Sequence, residues 1–114
     1  MIKCTNRSTG RVIADKLQMK TGLFERMRGL LGIRQLPEGG GIILKPCRQI
    51  HTMFMLMPID VIFTDGDLKV LHVMENMRPW RLSPLFFKAV YTIELAADSL
   101  NKSVKPGDTL AFSD

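Results

Sequence analysis

The hydrophobic pattern of the chain changes its period after Gly41, and this change constrains the fold more than any other feature of the sequence. Short runs rich in branched and aromatic residues follow, in the order GIILKP, QIHTMFM, IDVIFTD, LKVLHVMENM and AVYTIELAA. Alternation with a period of two is typical of β-strands. The runs are separated by turn formers such as Asp65-Gly66-Asp67, which favours a hairpin. We therefore predict a series of short, mostly antiparallel strands.

Before Gly41, the pattern predicts one hairpin and one principal helix. The runs MIKCT and RVIADKLQM flank NRSTG, a cluster of turn-forming residues. In TGLFERMRGLLG, apolar residues recur at helical spacing, Thr21 can cap the start, and Gly32 suits the position after the C-terminus. We predict this helix at about 22–31, a short helical turn in ADSLNKSV, and a tight turn feeding a last strand in KPGDTLAF. The predicted fold class is mainly β: a compact β-sandwich or barrel with one principal helix.

The length and composition indicate a single domain, 1–114, of ordinary globular type. The chain is 46% hydrophobic and 24% charged, as is usual for soluble globular proteins. Its net charge of +5 favours acidic partners only weakly, since the basic residues are spread along the chain. The N-terminal segment MIKCTNRSTG lacks an apolar stretch of signal-peptide length, and no run anywhere is long enough to span a bilayer. We therefore predict a cytoplasmic protein in which Cys4 and Cys47 are free thiols, because no C-x-x-C spacing is present.

The segment PCRQIHTMFM brings together several soft metal-binding groups. If it forms a strand, alternation places five side chains on one face: Cys47, Gln49, His51, Met53 and Met55. A rise of about 3.3 Å per residue then separates Cys47 from His51 by roughly 13 Å, which is too far for both to bind one ion. We therefore predict no metal and no cofactor, with Cys47, His51 and Met55 as the alternative metal site. The competing structural explanation is that the methionines fill gaps in the core.

Cys47 and His51, with Asp60, are also residues from which a thiol-dependent enzyme could be built. A thiolate needs a base within hydrogen-bond reach and an activating group such as a helix N-terminus. Cys47 follows a proline and lacks the flanking glycines of a nucleophile turn. A buried, inert thiol is therefore the simpler explanation, and His72 in KVLHVMEN is likewise interpreted as structural.

Two carboxylates interrupt apolar strands, Asp60 in PIDVIF and Glu94 in YTIELA. A carboxylate that is buried among apolar neighbours needs a partner. We predict that Asp60 is buried or half-buried and forms a structural ion pair with Arg28 of the helix, with Arg26 as the second choice. Glu94 would likewise need a partner if it is buried.

Trp80 lies between Arg78 and Arg81 in the proline-bounded loop RPWRLSP. Such a loop can stack on a base or a sugar, or it can anchor an interface. Packing of Trp80 over the end of the sheet is the competing structural explanation. The sequence contains no RNA-binding, helix-turn-helix or zinc-finger motif, so no specific nucleic-acid binding is predicted.

Four segments together resemble the bacterial and archaeal family known as domain of unknown function 192. They are RMRGLLG, the run from PCRQIHTMFM through ENMRPWR at 46–81, YTIELAADSL and KPGDTL. The resemblance extends in order over nearly the whole chain. It implies a small, mainly β fold with a helix packed at one side, and it implies no known reaction.

The resemblance also carries over individual positions. Arg28–Gly29 match the family's Arg-Gly-Leu helix end. Pro58 and Asp60 match its Pro-x-Asp turn, and Glu94 matches its Leu-Glu-Leu strand. Cys47 and His51 match the branch of the family that reads Pro-Cys followed by His-Thr. In the other branch an aromatic residue replaces the histidine and the cysteine is missing, so the resemblance implies no family-wide role for these two side chains.

The predicted function is a non-enzymatic binding module for a protein partner or a small ligand. The predicted ligand or partner surface consists of Cys47, His51, Met53, Met55, Trp80 and Arg81, with Cys47, His51 and Met55 on one concave surface close to Trp80. The alternative is a soft-metal-binding or thiol-dependent activity centred on Cys47 and His51. An enzyme should show a cleft with converging polar groups and a perturbed carboxylate or thiol. A binding module should show an exposed apolar patch.

Overall fold

The computed structural model describes residues 1–114 and contains seven strands and one α-helix. The elements are β1 (Ile2–Asn6), β2 (Arg11–Lys20), α1 (Leu23–Arg28), β3 (Gly40–Leu44), β4 (Ile59–Thr64), β5 (Val70–Met77), β6 (Tyr91–Ala96) and β7 (Leu110–Ser113). The strands form a single sheet in the order β5-β4-β6-β3-β2-β1-β7. The pair β2–β3 is parallel and the other neighbouring pairs are antiparallel. The predicted mainly β fold of short, mostly antiparallel strands is thus confirmed.

The sheet curls because its two edge strands approach each other at one end. Lys69, just before β5, forms an isolated bridge with Thr109, just before β7. The backbone N–H of Val70 donates to the carbonyl oxygen of Asp108 at 2.8 Å. Because β5 and β7 are not paired along their length, the sheet is a half-barrel that is closed only at this end.

Both predicted hairpins are present. β1 and β2 pair on either side of NRSTG, and β4 and β5 pair on either side of Asp65-Gly66-Asp67. The Asp65 side chain stabilises the second turn by accepting hydrogen bonds from the N–H groups of Asp67 and Lys69, at 2.9 and 3.0 Å. Such local bonds are the reason that aspartate favours turns. The strand predicted after KPGD is β7.

The predicted helix is present but is shorter than expected, since α1 covers Leu23–Arg28 instead of about 22–31. Gly29 ends it with a φ of 49°, a left-handed conformation that favours glycine. Leu30 and Leu31, which extend the helical spacing in the sequence, lie in the turns that follow, and Leu30 is buried there. No helix of the structure is long and apolar enough to cross a membrane.

Two other sequence interpretations are wrong. ADSLNKSV forms turns instead of a short helix, because three of its residues adopt positive φ angles, which a right-handed helix excludes. The segment 46–58 forms turns and irregular structure instead of a strand, and its only ladder contact is an isolated bridge between His51 and Leu82. Phe54, with a φ of 65°, interrupts any extended run. The side chains of this segment therefore do not alternate between two faces.

The sheet buries apolar side chains on both of its faces. Ile43 and Ile93 belong to a cluster on one face. The opposite face carries Ile42 and Val61, and it is covered by residues from outside the strands: Leu30, Ile50, Met55 and Ala89. Glu94 of β6 is in register with Ile42 and Val61, so its side chain faces this second, covered cluster.

A buried polar cluster joins β1 to the segment before β7. The fully buried Asn6 donates from Nδ2 to the carbonyl oxygen of Ser103 at 3.1 Å and to Oδ2 of Asp108 at 2.9 Å. Its Oδ1 accepts a hydrogen bond from the N–H of Ser8 at 3.0 Å. The hydrogen bond from Asn6 and, to a smaller extent, one from the N–H of Lys105 hold the pKa of Asp108 below its usual range.

Replacing Asn6 by alanine is expected to destabilise the fold by about 3 kcal/mol, because three hydrogen bonds of a fully buried side chain are lost, at about 1 kcal/mol each. The lowered native pKa of Asp108 contributes stability above the ordinary aspartate pKa, and this contribution is lost as the pH falls through the native value. The difference between the wild-type protein and Asn6→Ala should therefore shrink in acid. Urea denaturation at several pH values measures both effects.

The matched control is Gln35→Ala, which removes an exposed amide outside the cluster and should change stability by less than about 0.5 kcal/mol. An Asn6→Ala protein as stable as the wild type at neutral pH would contradict the role assigned to this cluster.

Candidate functional site

A cavity of about 610 Å³ opens between α1, the turns after α1, and the start of the segment 46–58. Half of its lining residues are apolar, Met27, Leu31 and Leu44 among them. Glu94, on the covered face of the sheet, lines the same cavity. The volume lies within the range of roughly 300–1,000 Å³ that small-molecule sites occupy.

One arginine fixes the position of α1 beside the cavity. Nε of Arg26 donates to the carbonyl oxygen of Thr21 at 3.2 Å, and its Nη1 donates to that of Pro46 at 2.9 Å. The helix itself buries no residue. It is therefore held by its polar contacts at the edge of the second cluster, and the space beneath it is left as the cavity.

Glu94 is the buried polar group of the site. Its side chain is 4% exposed, and its Oε2 has no hydrogen-bond partner within the chain. Burial raises the pKa of its carboxyl group from 4.5 to about 7, because the surroundings disfavour the charged form. A Cβ built on Gly29 would lie 3.5 Å from Oε2, so the end of α1 closes directly over the carboxyl group. Near neutral pH, Glu94 can donate or accept a hydrogen bond to a molecule in the cavity.

Cys47 lies on the wall of the cavity as a half-buried free thiol. Its Sγ donates to the carbonyl oxygen of Gln49 at 3.4 Å. Burial raises the pKa of this thiol. Hydrogen bonding with the Thr92 side chain and the Gln49 backbone opposes the rise; the charge of Glu94 adds to it, and that of Arg26 opposes it. The thiol is therefore protonated at neutral pH, and the environment does not activate it as a nucleophile.

The rim of the cavity is basic. Arg28 and Arg48 line it together with Arg26, and both are exposed. The salt bridges of the chain are Lys16–Asp15 and Lys20–Glu25, so neither rim arginine is paired with a carboxylate. Since Glu94 is the one carboxylate among the lining residues, the rim attracts anions.

The residues predicted from the sequence fall into two places. Cys47, His51 and Met55 line the cavity. Met53, Trp80 and Arg81 lie outside it. The ring of Trp80 contacts that of Phe54 at a tilt of 57°, with centroids 4.6 Å apart, and Arg81 donates to the carbonyl oxygen of Trp80 at 3.4 Å. The predicted single surface is thus divided between a cavity and a neighbouring aromatic loop.

The alternative metal site has no ligand cluster to support it. No group of three or more His, Cys, Asp or Glu side chains is placed so that it could hold a metal ion. His51 is exposed, and its Nδ1 accepts a hydrogen bond from the N–H of Met53 at 3.2 Å. A shared ion at Cys47, His51 and Met55 is the alternative to the predicted absence of a metal, and this geometry does not favour it.

The predicted burial of Asp60 is confirmed, but its predicted ion pair with Arg28 is wrong. Asp60 is fully buried, while Arg28 is exposed at the cavity rim. Its Oδ1 accepts from the N–H of Asn76 at 2.9 Å, and its Oδ2 accepts from the N–H of Leu100 at 3.0 Å. Main-chain amides therefore satisfy both oxygens, and no cation is needed.

Glu94 is not among the site residues that the sequence predicts. The signal was present, since Glu94 interrupts an apolar strand in the same way as Asp60. Two buried carboxylates of similar sequence context thus differ in what surrounds them: one is satisfied by backbone, and the other faces a cavity. The difference arises because the segments that surround each carboxylate are distant from it in the sequence.

Comparison with known protein families gives one match over most of the chain. The model of the family DUF192, described as "Uncharacterized ACR", matches residues 4–112. A UPF0127 protein of Thermococcus sibiricus is 32% identical over 93 residues, which are 78% of this chain and 60% of that protein. A UPF0127 protein of Pyrococcus horikoshii is 42% identical over 65 residues, 55% of each chain. The matched part thus spans little more than half the length of these relatives.

Two solved structures share the fold. A protein of unknown function from Novosphingobium aromaticivorans superposes with a TM-score of 0.81 at 22% identity, covering 96% of this chain and 82% of that one. A protein from Sinorhizobium meliloti described as a "putative transcription regulator" superposes with a TM-score of 0.81 at 22% identity, covering 97% of this chain and 91% of that one. At this level of identity the similarity shows the fold alone.

Proposed function

The chain belongs to the DUF192 family, and we propose that it is a non-enzymatic binding protein whose cavity holds a small organic acid with an apolar body. The observation that carries this proposal is the unpartnered Oε2 of Glu94 at the cavity. A buried polar atom without a hydrogen bond costs free energy. A ligand atom that pairs with Glu94 recovers that cost and so contributes to affinity.

The surroundings of Glu94 favour this class of ligand. Apolar walls that include Met27, Leu31 and Leu44 suit a hydrocarbon or aromatic body. Arg28 and Arg48 at the rim suit a carboxylate or sulfonate group at its outer end. Cys47, His51 and Met55, which the sequence predicts as binding residues, line the same space. The cytoplasm stays the proposed compartment, and both cysteines are proposed to be free thiols there.

An acid–base enzyme is the second candidate, because a carboxyl group with a pKa of about 7 in a cleft is a common catalytic arrangement. Such an enzyme needs a second reactive group beside the first. Its neighbour Cys47 is a protonated thiol, and His51 is exposed with Nδ1 engaged by Met53. Binding without chemistry is therefore the function that the geometry supports best.

The fluorescent dye 8-anilinonaphthalene-1-sulfonate, an organic acid with an apolar body, tests the proposal. We expect it to bind, and we expect 8-hydroxyoctanoate, whose hydroxyl group can pair with Glu94, to displace it. The Arg28→Gln, Arg48→Gln double variant should bind the dye about tenfold more weakly, equivalent to about 1.4 kcal/mol. The Arg7→Gln, Arg34→Gln double variant loses the same charge at exposed positions outside the cavity and should bind as the wild type does. Equal loss in both variants would contradict the proposed rim.

The location of the dye can be checked by blocking the cavity at Cys47. N-ethylmaleimide should label this thiol alone, because Cys4 is fully buried and its pKa is raised to about 12 by that burial. The adduct should reduce dye affinity at least about tenfold, while a Cys47→Ser protein treated in the same way keeps its affinity. Unchanged binding by fully labelled protein would place the dye elsewhere and contradict the proposal.

A further inference from the structure

Two loops beside the cavity form one continuous surface, here called the paired-loop surface: residues 46–58 and 78–88. Their backbones are joined by hydrogen bonds, since the N–H of Thr52 donates to the carbonyl oxygen of Arg81 and the N–H of Trp80 donates to that of Thr52, both at 2.9 Å. Further along, the N–H of Phe86 donates to the carbonyl oxygen of Arg48 at 2.9 Å. The two loops are therefore held together as a unit.

This surface exposes large apolar side chains. The exposed fractions are 69% for Phe54, 56% for Trp80, 61% for Leu82 and 75% for Phe87. The rings of Phe54 and Trp80 are in tilted contact, and both residues have a φ of 65°, a backbone conformation that is unfavourable for bulky residues. The fold thus holds an aromatic pair outward at a conformational cost, and nothing within the chain covers it.

The charges on the paired-loop surface have a single sign. Its cations are Arg48, Arg78, Arg81 and Lys88, all exposed, and neither 46–58 nor 78–88 contains an aspartate or glutamate. The chain as a whole is mixed, with 11 acidic and 16 basic residues. The apolar side chains are therefore interleaved with cations alone, and the surface is complementary to an anionic partner.

We propose that the paired-loop surface docks on an anionic lipid bilayer, with Trp80 and its apolar neighbours entering the headgroup region and the four cations contacting lipid phosphates. Aromatic side chains with flanking arginine and lysine are the combination that bilayer interfaces favour. A fluid interface accepts separate apolar side chains without a partner surface of matching shape. This inference does not depend on a ligand in the cavity, because Arg48 is the one named residue that the two proposals share, and the tests below do not change it.

The fluorescence of Trp80 provides a direct test, because it is the only tryptophan of the chain. The full chain is mixed with vesicles of phosphatidylglycerol and phosphatidylcholine in equal parts, or of phosphatidylcholine alone. We expect a blue shift of Trp80 emission with the anionic vesicles and co-sedimentation at least about tenfold stronger than with the neutral ones. The Leu82→Ser, Phe87→Ser double variant should lower the partition coefficient about tenfold or more, and Val12→Ser, at an exposed apolar residue of β2, should leave it unchanged.

The charge contribution is tested separately. The Arg78→Gln, Arg81→Gln double variant should bind anionic vesicles about tenfold more weakly, whereas Arg7→Gln with Arg11→Gln loses the same charge outside the surface and should have little effect. Equal melting temperatures show that the variants are folded. The proposal is overturned if Trp80 emission does not shift with anionic vesicles, or if Leu82→Ser, Phe87→Ser binds them as the wild type does. It is also overturned if polyglutamate binds the surface more tightly than the vesicles do, or if dimerisation without lipid produces the shift.

Discussion

Asp60→Ala is expected to destabilise the protein by about 4 kcal/mol, the largest effect of a single substitution that the structure predicts. The carboxylate of Asp60 is fully buried and accepts hydrogen bonds from the N–H groups of Asn76 and Leu100. Asn76 lies in β5, and Leu100 lies in the turns after β6, so one side chain joins three parts of the chain. Alanine leaves both N–H groups without an acceptor, at a cost of about 1–3 kcal/mol each.

Two further variants separate this explanation from a general effect of the substitution. Asp60→Asn keeps one acceptor oxygen and places an NH₂ group against the other N–H donor, so it should lose a large part of the same stability. Asp67→Ala, at an exposed aspartate whose carboxylate makes no hydrogen bond in the chain, should change stability by less than about 0.5 kcal/mol. Urea denaturation measures all three. If Asp60→Ala unfolds at the same urea concentration as the wild type, the hydrogen bonds of Asp60 contribute nothing to stability.

Glu94→Gln is expected to stabilise the protein at alkaline pH by up to about 3 kcal/mol. Burial raises the pKa of Glu94 from 4.5 to about 7, so between these values the folded protein holds a proton that the unfolded chain has released. The stability of the wild type therefore falls as the pH rises through this window, by about 1.4 kcal/mol for each pH unit. Glutamine cannot ionise, and this decrease should be absent from the variant.

The measurement is the difference in free energy of unfolding between the wild type and Glu94→Gln from pH 4 to pH 8, in which contributions common to both proteins cancel. Glu38→Gln, at an exposed glutamate whose carboxylate makes no ion pair, provides the matched control and should show no such trend. A difference that stays constant across the range would mean that Glu94 titrates at its ordinary pKa in the folded protein.

Much of the fold follows from local patterns that a sequence displays directly. The Asp65-Gly66-Asp67 turn and the NRSTG turn each lie between two alternating runs, and each forms the hairpin that its residues favour. The predicted helix is too long because Leu30 and Leu31 keep the helical spacing in the sequence. In the structure Gly29 turns the backbone, and Leu30 is buried in the core. Spacing alone does not reveal which of two competing local signals prevails.

The segment 46–58 shows a limit of the same patterns. Its alternating apolar residues are typical of a strand, but the positive φ of Phe54 and the hydrogen bonds from Thr52 to the loop at 78–88 are tertiary features. The candidate site could be predicted only in part for the same reason. Burial of Asp60 could be inferred from its apolar neighbours, but its backbone partners could not, because amide groups have no sequence signature. The cavity over Glu94 depends on where α1 ends, and the sequence pattern predicts that end about three residues later than Arg28, where the helix stops.

The most direct test of the proposed cavity site is the titration of Glu94 followed by ¹³C NMR of its side-chain carboxyl carbon, assigned with Glu94→Gln, without and with 8-anilinonaphthalene-1-sulfonate. We predict a pKa of about 7 in the free protein and a higher value with the dye bound, because an anion held at the rim by Arg28 and Arg48 further disfavours the charged carboxylate. A pKa near 4.5, or a titration curve that the dye leaves unchanged, would contradict the account.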